Sequence, residues 1–581
     1  MLLRQCKVLP YAKVQKNGEM NFMNSQARKN AEDFLNLEKQ FHLGFLPTEQ
    51  SNPLTVNLDK EFEHGSVFGV KNLQSADRNV LVMAKRVLAS EKFRKLSNSI
   101  YNTITAGGKV VFSGCGATGR LSILLESMYR ECCEKNPALA QYSNNVFSIM
   151  TGGDYAMVRA VEFFEDYQSF GRQQVKELNM QSGDMLVAIT EGGETSSVLG
   201  TLFEALDRGC KGFLLFNNPA ELLAERLERS RKAITDERVC VLDLSCGPMA
   251  LAGSTRMQAT TSEQLIAGAA LESAVCRLLD CPAPDHAVLF EELLNELESE
   301  KSVQAIADYI EFEADCCGNG NLLTYFANDY LLDIFTDTTE RTPTFKLPPF
   351  RKSDDTTSAR PWAFVKNPLY PTGELWEKCF RRPLRCLEWS EELYVAMEAP
   401  ENVRNNPPLI NASELLKFPV GSEMVEDRIV SDKDAAVLVT LSSGDDNAAL
   451  LKAFDEVKTL FPIVKKLSIG TGAGDFTVEC NLMKSPLDLM SHMAVKLVLN
   501  TASTGIMVRL GRVTGNWMSF VDVTNKKLID RAIRLISSIG NMSYEESCYK
   551  LFEAVEILKD MPDNSPEKMP VVQYVLKKLG R

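Results

Sequence analysis

The sequence predicts an α/β protein: two doubly wound parallel-sheet domains in tandem, followed by an all-helical C-terminal segment. Three observations predict it. Short apolar runs alternate with helical patterns between residues 109 and 279, and a second alternation of the same kind begins at Leu322. A glycine turn, Gly114-Cys115-Gly116-Ala117-Thr118-Gly119-Arg120, joins the first strand to its helix. Open α/β sheets hold their ligands at such turns, outside the carboxyl ends of the strands. With 581 residues the chain has material for several cores.

Taken in order, residues 1–47 are polar and read as a lead-in with one short helix over 24–41. A helical pattern over 75–105 stops at Ala106-Gly107-Gly108, and 109–113 forms the first strand. Residues 145–150 give the second strand, ending in Thr151-Gly152-Gly153-Asp154, with Glu162, Glu165 and Asp166 about three turns into the next helix. Strands over 185–189, 212–216 and 239–244 alternate with helices over 202–206, 220–230 and 261–279. Cys281-Pro282-Ala283-Pro284 breaks the pattern, so the first domain is expected over 48–285. An acidic helix over 290–313 leads into the second domain, 286–500, with strands at 322–326, 435–441 and 464–469 and a helix over 447–461. Residues 345–361 and 399–409, rich in Pro, Lys, Arg and Asn, read as loops. The pattern is helical from about residue 485, and 501–581 forms the C-terminal segment. Residues 120–128 can be laid on 332–340 without gaps, a faint internal repeat. The second copy has Ala327-Asn328-Asp329 in place of the glycine turn, which predicts a degenerate phosphate loop and one loaded site per chain.

The net charge of −13 argues against nucleic acid or an anionic membrane as partner. No apolar run approaches a membrane-helix length, and Met1-Leu2-Leu3-Arg4-Gln5 lacks a signal-peptide core. The expected location is the cytoplasm, with the nucleus as a second compartment. The 15 cysteines include no C-x-x-C pair and read as reduced, mostly buried thiols. Only His42, His64, His286 and His492 occur, widely scattered, so neither a metal nor a cofactor is expected.

The glycine turn carries the chemistry. It fits G-x-G-x-x-G, but the position where a dinucleotide fold wants its acidic residue falls near Pro137-Ala138-Leu139. No Lys-Ser/Thr follows the glycines, which excludes a P-loop. A helix N-terminus that turns its amides on a phosphate remains, with Gly114, Gly116 and Gly119 admitting the ligand and Thr118 and Ser113 adding hydroxyls. Three further turns belong with it: Gly153 with Asp154; Thr190-Glu191-Gly192-Gly193-Glu194-Thr195-Ser196; and Gly253-Ser254-Thr255-Arg256, whose arginine answers the anion. Together they point to a phosphosugar pocket.

Four segments then carry a resemblance: Thr48-Glu49-Gln50-Ser51-Asn52-Pro53; the 114–120 loop; Gly253-Ser254-Thr255-Arg256-Met257; and Asn500-Thr501-Ala502-Ser503-Thr504-Gly505 with Thr524-Asn525-Lys526-Lys527-Leu528. The chain resembles the family joining bacterial N-acetylmuramic acid 6-phosphate etherases to the animal glucokinase regulatory protein, built on sugar-isomerase (SIS) domains. The resemblance implies two SIS domains and a sugar phosphate held by Gly114, Gly116, Thr118, Gly119, Arg120, Gly153, Thr190, Thr195, Ser196, Ser254, Thr255, Arg256 and Lys527. Etherases use two glutamates, the first in an Asp-Ala-Ser-Glu-Cys-Pro-Pro-Thr motif. That position is Met128 in the first half, whereas Asp337-Thr338-Thr339-Glu340-Arg341-Thr342-Pro343-Thr344 matches the motif in the second. The other glutamate corresponds to Glu165. Gln258 and Thr260 depart from the usual Lys and Gly, and Ser443-Gly444-Asp445-Asp446-Asn447 resembles a turn of the regulatory protein's second domain. The tandem architecture implies first a hexose-phosphate sensor acting on a hexokinase or glucokinase partner. The alternative it implies is a lyase using Glu165 and Glu340; an aldose–ketose isomerase comes third.

Overall fold

Two sheets of five strands organise the chain, and both use the same strand order. The computed structural model describes residues 25–423, 426–441, 447–521, 523, 525–561 and 568–580. The first sheet comprises β1 (Val110–Gly114), β2 (Val146–Met150), β3 (Met185–Ile189), β4 (Lys211–Phe216) and β5 (Val239–Asp243), ordered β2-β1-β3-β4-β5. The second comprises β6 (Leu323–Phe326), β7 (Ala363–Lys366), β8 (Ala435–Leu441), β9 (Ile463–Ile469) and β10 (Phe476–Val478), ordered β10-β9-β8-β6-β7. Counted within each sheet, both read 2-1-3-4-5, and every pairing is parallel. This is the doubly wound fold that the alternation predicts, twice over. Central strands such as β3, Met-Leu-Val-Ala-Ile, are buried at every position, because helices cover both faces of a parallel sheet.

Five helices position the site: α1 (Gly116–Lys135) after β1, α2 (Ser196–Asp207) after β3, α3 (Gln258–Leu278) after β5, α4 (Leu331–Phe345) after β6, and α5 (Leu489–Arg509). Helices α1, α3, α4 and α5 pack on one another and join both halves into one apolar core. Helices α3 and α5 are buried nearly end to end, and their polar residues are buried with partners: Glu263 with Asn217, Glu272 with His286, and Lys496 with Arg256 O.

Several local expectations need correction. The helix expected over 75–105 is two helices, Asp77–Leu88 and Glu91–Thr105, preceded by Ser66–Ser75; the last is started by Ser90, whose side chain accepts from Phe93 N–H. The acidic helix over 290–313 is also broken, into His286–Leu297 and Glu300–Gly318, by Ser299 capping the Ser302 amide. Serine at an N-cap satisfies the new helix's amides, a signal that apolar periodicity does not register. Glu162–Asp166 forms a 3-10 turn, not the third turn of a helix, and the α-helix begins only at Gln168. Strand β7 follows the loop expected at 345–361, and a short helix, Glu401–Asn405, lies inside the loop expected at 399–409. The expected boundary at residue 500 falls inside the unbroken helix α5, and a hairpin pairing Val513–Thr514 with Trp517–Met518 follows it. The C-terminal helical region then consists of Lys526–Gly540, Tyr544–Lys559 and Val571–Lys578. The chain divides into two compact units, one spanning Phe45–Met518 and one joining the N-terminal residues up to Gly44 with those from Ser519. In the second unit the helix Ser25–Leu37 packs on Tyr544–Lys559, with Phe34 meeting Phe552 and His42 meeting Tyr544. Among the described residues no helix is long and apolar enough to cross a membrane. The turn at 443–447 falls largely outside the described residues.

Candidate functional site

The glycine turn is built by its own main chain. Gly114 closes β1, and a Cβ there would stand 2.4 Å from the Thr118 main chain, so the turn closes only over glycine. Gly116 has φ +55°, the left-handed region glycine enters without strain. A Cβ on Gly119 would meet the Met150 side chain at 2.8 Å, which fixes the helix tight against β2. The Thr118 hydroxyl is occupied locally: it accepts from Cys115 N–H at 3.0 Å and donates to Cys115 O at 2.8 Å, a capping box. The Ser113 hydroxyl is likewise spent, on Thr201 of α2 at 2.8 Å. Helix geometry leaves the Gly116 and Ala117 amides without intrahelical acceptors. The anion cradle is therefore main chain, and the hydroxyls expected to join it hold it in shape.

Neighbouring turns converge on this one. Thr151 N–H donates to Gly114 O at 3.0 Å, and the Thr151 hydroxyl lies 2.9 Å from that of Ser197 in the first turn of α2. Thr190 donates to the Thr195 hydroxyl at 3.0 Å, and Thr195 caps α2 without bonding its amides, so Thr195 and Ser196 present a second half-buried helix start. Gly153 is placed elsewhere: a Cβ on it would meet Arg385 O and Leu387 at 3.0 Å, beneath a segment of the second half. Asp154 beside it is held by Arg382 at 2.7 and 2.8 Å.

The second half reaches into the first. Glu340 on α4 stands over the glycine turn, its Oε1 3.9 Å from where a Gly116 Cβ would be. Its carboxylate pairs with Arg120, whose guanidinium is fully buried and also donates to Met157 O at 3.0 Å and Ala156 O at 2.7 Å. Arg120 thus latches the two halves. Arg256 makes the second latch, donating to Asp337 at 2.8 Å, Ser503 at 3.1 Å and Thr504 at 2.9 Å. Between the latches lies a cavity of about 20 Å³ lined by Ala117 and Leu121 of α1, Gln264 of α3, Asp337 and Glu340 of α4, and Lys496 of α5. Arg256 Nε and Gln264 Nε2 are buried there without a hydrogen-bond partner, and Ser254 Oγ is buried unpartnered two residues before Arg256. Buried polar atoms normally find a partner, so Arg256 Nε and Gln264 Nε2 are the donors here able to answer a ligand. Thr255 works inside the turn, its carbonyl accepting from the Thr260 amide and hydroxyl, both at 3.0 Å.

Comparison with known proteins agrees with this geometry. The family model described as the glucokinase regulatory protein N-terminal SIS domain matches residues 92–206. The N-acetylmuramic acid 6-phosphate etherase of Lactococcus lactis subsp. cremoris is 30% identical over 224 residues, 39% of this chain and 68% of that protein. Etherase 1 of the same description from Bacillus licheniformis is 28% identical over 225 residues, 39% of this chain and 67% of its own length. The Petrotoga mobilis etherase is 27% identical over 277 residues, covering 47% and 83%. The chain belongs to the SIS-domain etherase family. Each of these matches spans less than half of this chain, whose two sheets repeat one topology.

Electrostatics set this family member's pocket apart from its surroundings. Lys496 is fully buried in α5, donating to Arg256 O at 2.7 Å and Asn500 Oδ1 at 2.6 Å. Burial, and next the Arg256 charge, push its pKa down to about 8. Burial works against Asp337, but Arg341 and then Arg256 outweigh it and hold its carboxyl below the usual range. Arg341 in turn binds Glu313 at 2.7 Å and Tyr325 at 3.0 Å. Asp77, by contrast, meets the neutral amide of Gln258 at 2.7 Å, and burial pushes its pKa up to about 7.

Among the expected site residues, the structure brings Arg256 and Glu340 to the cavity, and the 114–120 turn to its edge. Glu165 sits half-buried in its 3-10 turn and does not line the cavity. Lys527 is in the helix Lys526–Gly540 of the other compact unit. Thr48 and Asn52 serve as ties, bonding Asn218 at 2.9 Å and Pro248 O at 2.7 Å. Lys496 and Gln264 went unread. A single lysine inside the apolar run His492-Met493-Ala494-Val495-Lys496-Leu497-Val498 was the available signal.

Proposed function

We propose that the chain is a phosphosugar lyase of the etherase type, acting on an ether of a 6-phosphorylated amino sugar such as N-acetylmuramic acid 6-phosphate. The observation that supports it best is Glu340, a carboxylate delivered by the second half onto the phosphate turn of the first. In this reading the phosphate sits on the first-turn amides of α1 and α2, balanced by Arg256, and the sugar extends toward Glu340, Asp337 and Gln264. Glu340 removes the proton from the carbon beside the carbonyl carbon of the open-chain sugar. That electron pair becomes the new carbon–carbon double bond as the ether C–O bond breaks, and the departing lactate oxygen takes a proton. Lys496, in the same cavity with a pKa of about 8, carries a proton at neutral pH and can supply it. A hollow of about 20 Å³ has room for one water, so α4 parts from α1 at the Arg120–Glu340 latch and from the turn before α3 at the Arg256–Asp337 latch to admit a sugar. The test is incubation with N-acetylmuramic acid 6-phosphate and assay for lactate; release that Glu340→Gln abolishes supports the reading, and no release at all sinks it.

A second reading has its own support in the match of residues 92–206 to the regulatory-protein domain and in the latched pocket. Here a hexose phosphate is sensed: binding opens the latches and shifts the relative pose of the halves, changing affinity for a glucokinase-type partner. Phosphosugar binding without lactate release, together with phosphosugar-dependent inhibition of a glucokinase, would select it.

A further inference from the structure

A second cavity, of about 770 Å³, opens where β6 ends. Strand β6 lies between β8 and β7 as β1 lies between β3 and β2, so this is the switch point of the second sheet, where the fold places ligands. The internal repeat lays Met128 on Glu340 and Leu124 on Thr336. Accordingly Met128 and Glu131 of α1 wall this cavity, as Glu340 of α4 walls the first. Its volume is in the range of small-molecule sites, roughly 300–1,000 Å³.

The chemistry differs at the helix start. In the first pocket the opening amides of α1 await an anion. Here Asp333 occupies the first turn of α4 and Asp329 precedes it, so this helix start carries its own negative charge and disfavours a phosphate on its amides. Tyr330, just before the helix, has φ +57°, a backbone conformation a tyrosine adopts only under constraint. Its ring meets the imidazole of His492 edge-on at 4.7 Å. The His492 side chain is 9% exposed, and its Nδ1 is 2.7 Å from Asp333 Oδ2. Burial opposes its charge, but Asp333 outweighs burial and raises its pKa. Its other nitrogen, Nε2, has no hydrogen-bond partner among the described residues, and the residue lines the cavity. Tyr370, half-buried beneath the Lys378 ammonium at 4.4 Å, and Glu374 also line it. Of the five cations in the wall four are already ion-paired, Lys378 to Glu374, Lys135 and Arg381 to Glu131, and Arg382 to Asp154, leaving Lys484. Carboxylates, an imidazole and tyrosine rings together suit a polyhydroxylated ring bearing an amino group, with no phosphate.

We propose that the second-sheet cavity is a separate sugar site, taking an unphosphorylated amino sugar whose hydroxyls and ammonium meet Glu374, Glu131 and His492 and whose apolar face lies on the tyrosines.

Calorimetric titration of the full chain with glucosamine, and separately with glucosamine 6-phosphate, tests this. Glucosamine binds the native chain; Tyr370→Ala and His492→Gln each weaken it about fivefold or more, the loss of one good contact. Glu340→Gln leaves glucosamine binding within about twofold and weakens the phosphorylated sugar instead. Should either variant fail to give native circular dichroism, Glu374→Gln, at an exposed helix position, carries the test with about a threefold loss. Absence of heat with glucosamine at concentrations on the order of 10 mM overturns the proposal. So does glucosamine binding that Glu340→Gln removes and Tyr370→Ala spares, or crystallographic density for glucosamine confined to the first-sheet pocket.

Discussion

The first and second sheets share a strand order but treat their switch points in opposite ways. After β1 the chain makes a glycine turn whose helix start is left for an external anion, and the neighbouring half presses a glutamate over it. After β6 the turn is Ala327-Asn328-Asp329-Tyr330, the helix start holds its own carboxylates, and the neighbouring half offers Met128. One pocket is closed to about 20 Å³ by two ion-paired latches, and the other stands open at about 770 Å³. The repeated topology thus supplies two equivalent places for a ligand, and a handful of side chains make them chemically unlike.

The sharpest way to break the comparison is to remove the glutamate that only one pocket has. Glu340→Gln should lower lactate release by about a thousandfold, the ordinary loss for an acid–base group, while weakening phosphosugar binding by no more than about tenfold. Met128→Glu at the repeat-equivalent position should not restore it; a rescued rate would show the two pockets to be interchangeable.

Next come the latches. Arg120→Ala leaves Glu340 and two main-chain carbonyls without their partner, and should cost about 3–5 kcal/mol in urea unfolding, as breaking a buried pair does. A loss near zero would mean the halves do not rely on that contact.

The buried acids on the two sides should differ with pH. Asp337 is paired with arginines and keeps its charge, whereas Asp77 faces only the Gln258 amide among its side-chain hydrogen bonds and has a pKa of about 7. The folded chain therefore holds a proton at Asp77 that the unfolded chain releases near pH 4, so stability falls as pH rises from about 4 to 7. Gln258→Lys should flatten that slope and stabilise the protein at pH 8 by an amount on the order of a few kcal/mol, read from urea midpoints at two pH values.

The smallest effect belongs to Gly116→Ala. Nothing lies closer than 3.9 Å to the new Cβ, so only backbone strain at φ +55° is added, about 1–2 kcal/mol, with weaker phosphosugar binding. The same substitution at Gly153, under Arg385, should disturb packing and leave the sugar affinity alone.

Much of this was legible in the residues. The alternation of apolar runs located eight of the ten main-sheet strands, missing β7 and β10, and the spacing of Gly114, Gly116 and Gly119 marked the anion turn, because main-chain approach demands glycine there. Glu340 was found through the motif around it. What stayed hidden depends on three-dimensional partners. Thr118 and Ser113 read as ligand donors, yet each has a nearer acceptor or donor that only folding reveals. Strand β7, four residues after Pro361-Trp362, is too short for periodicity to announce. Helix α5 erased the expected division at 500, because burial on all sides lets one helix serve both sheets. Gly153 and Glu165 sit in turns whose relation to the cavity depends on the 381–389 segment, far away in sequence.

Helices α1 and α4 each lend a beginning to one hollow and a later turn to the other, and Leu124 and Asp333 face both. A slide of one helix along its partner therefore moves room from one hollow to the other, like a sash window. Occupants of the two sides would feel each other through that travel, with no wire of contacts between them. Mutations at positions 124 and 333 then answer to two masters at once.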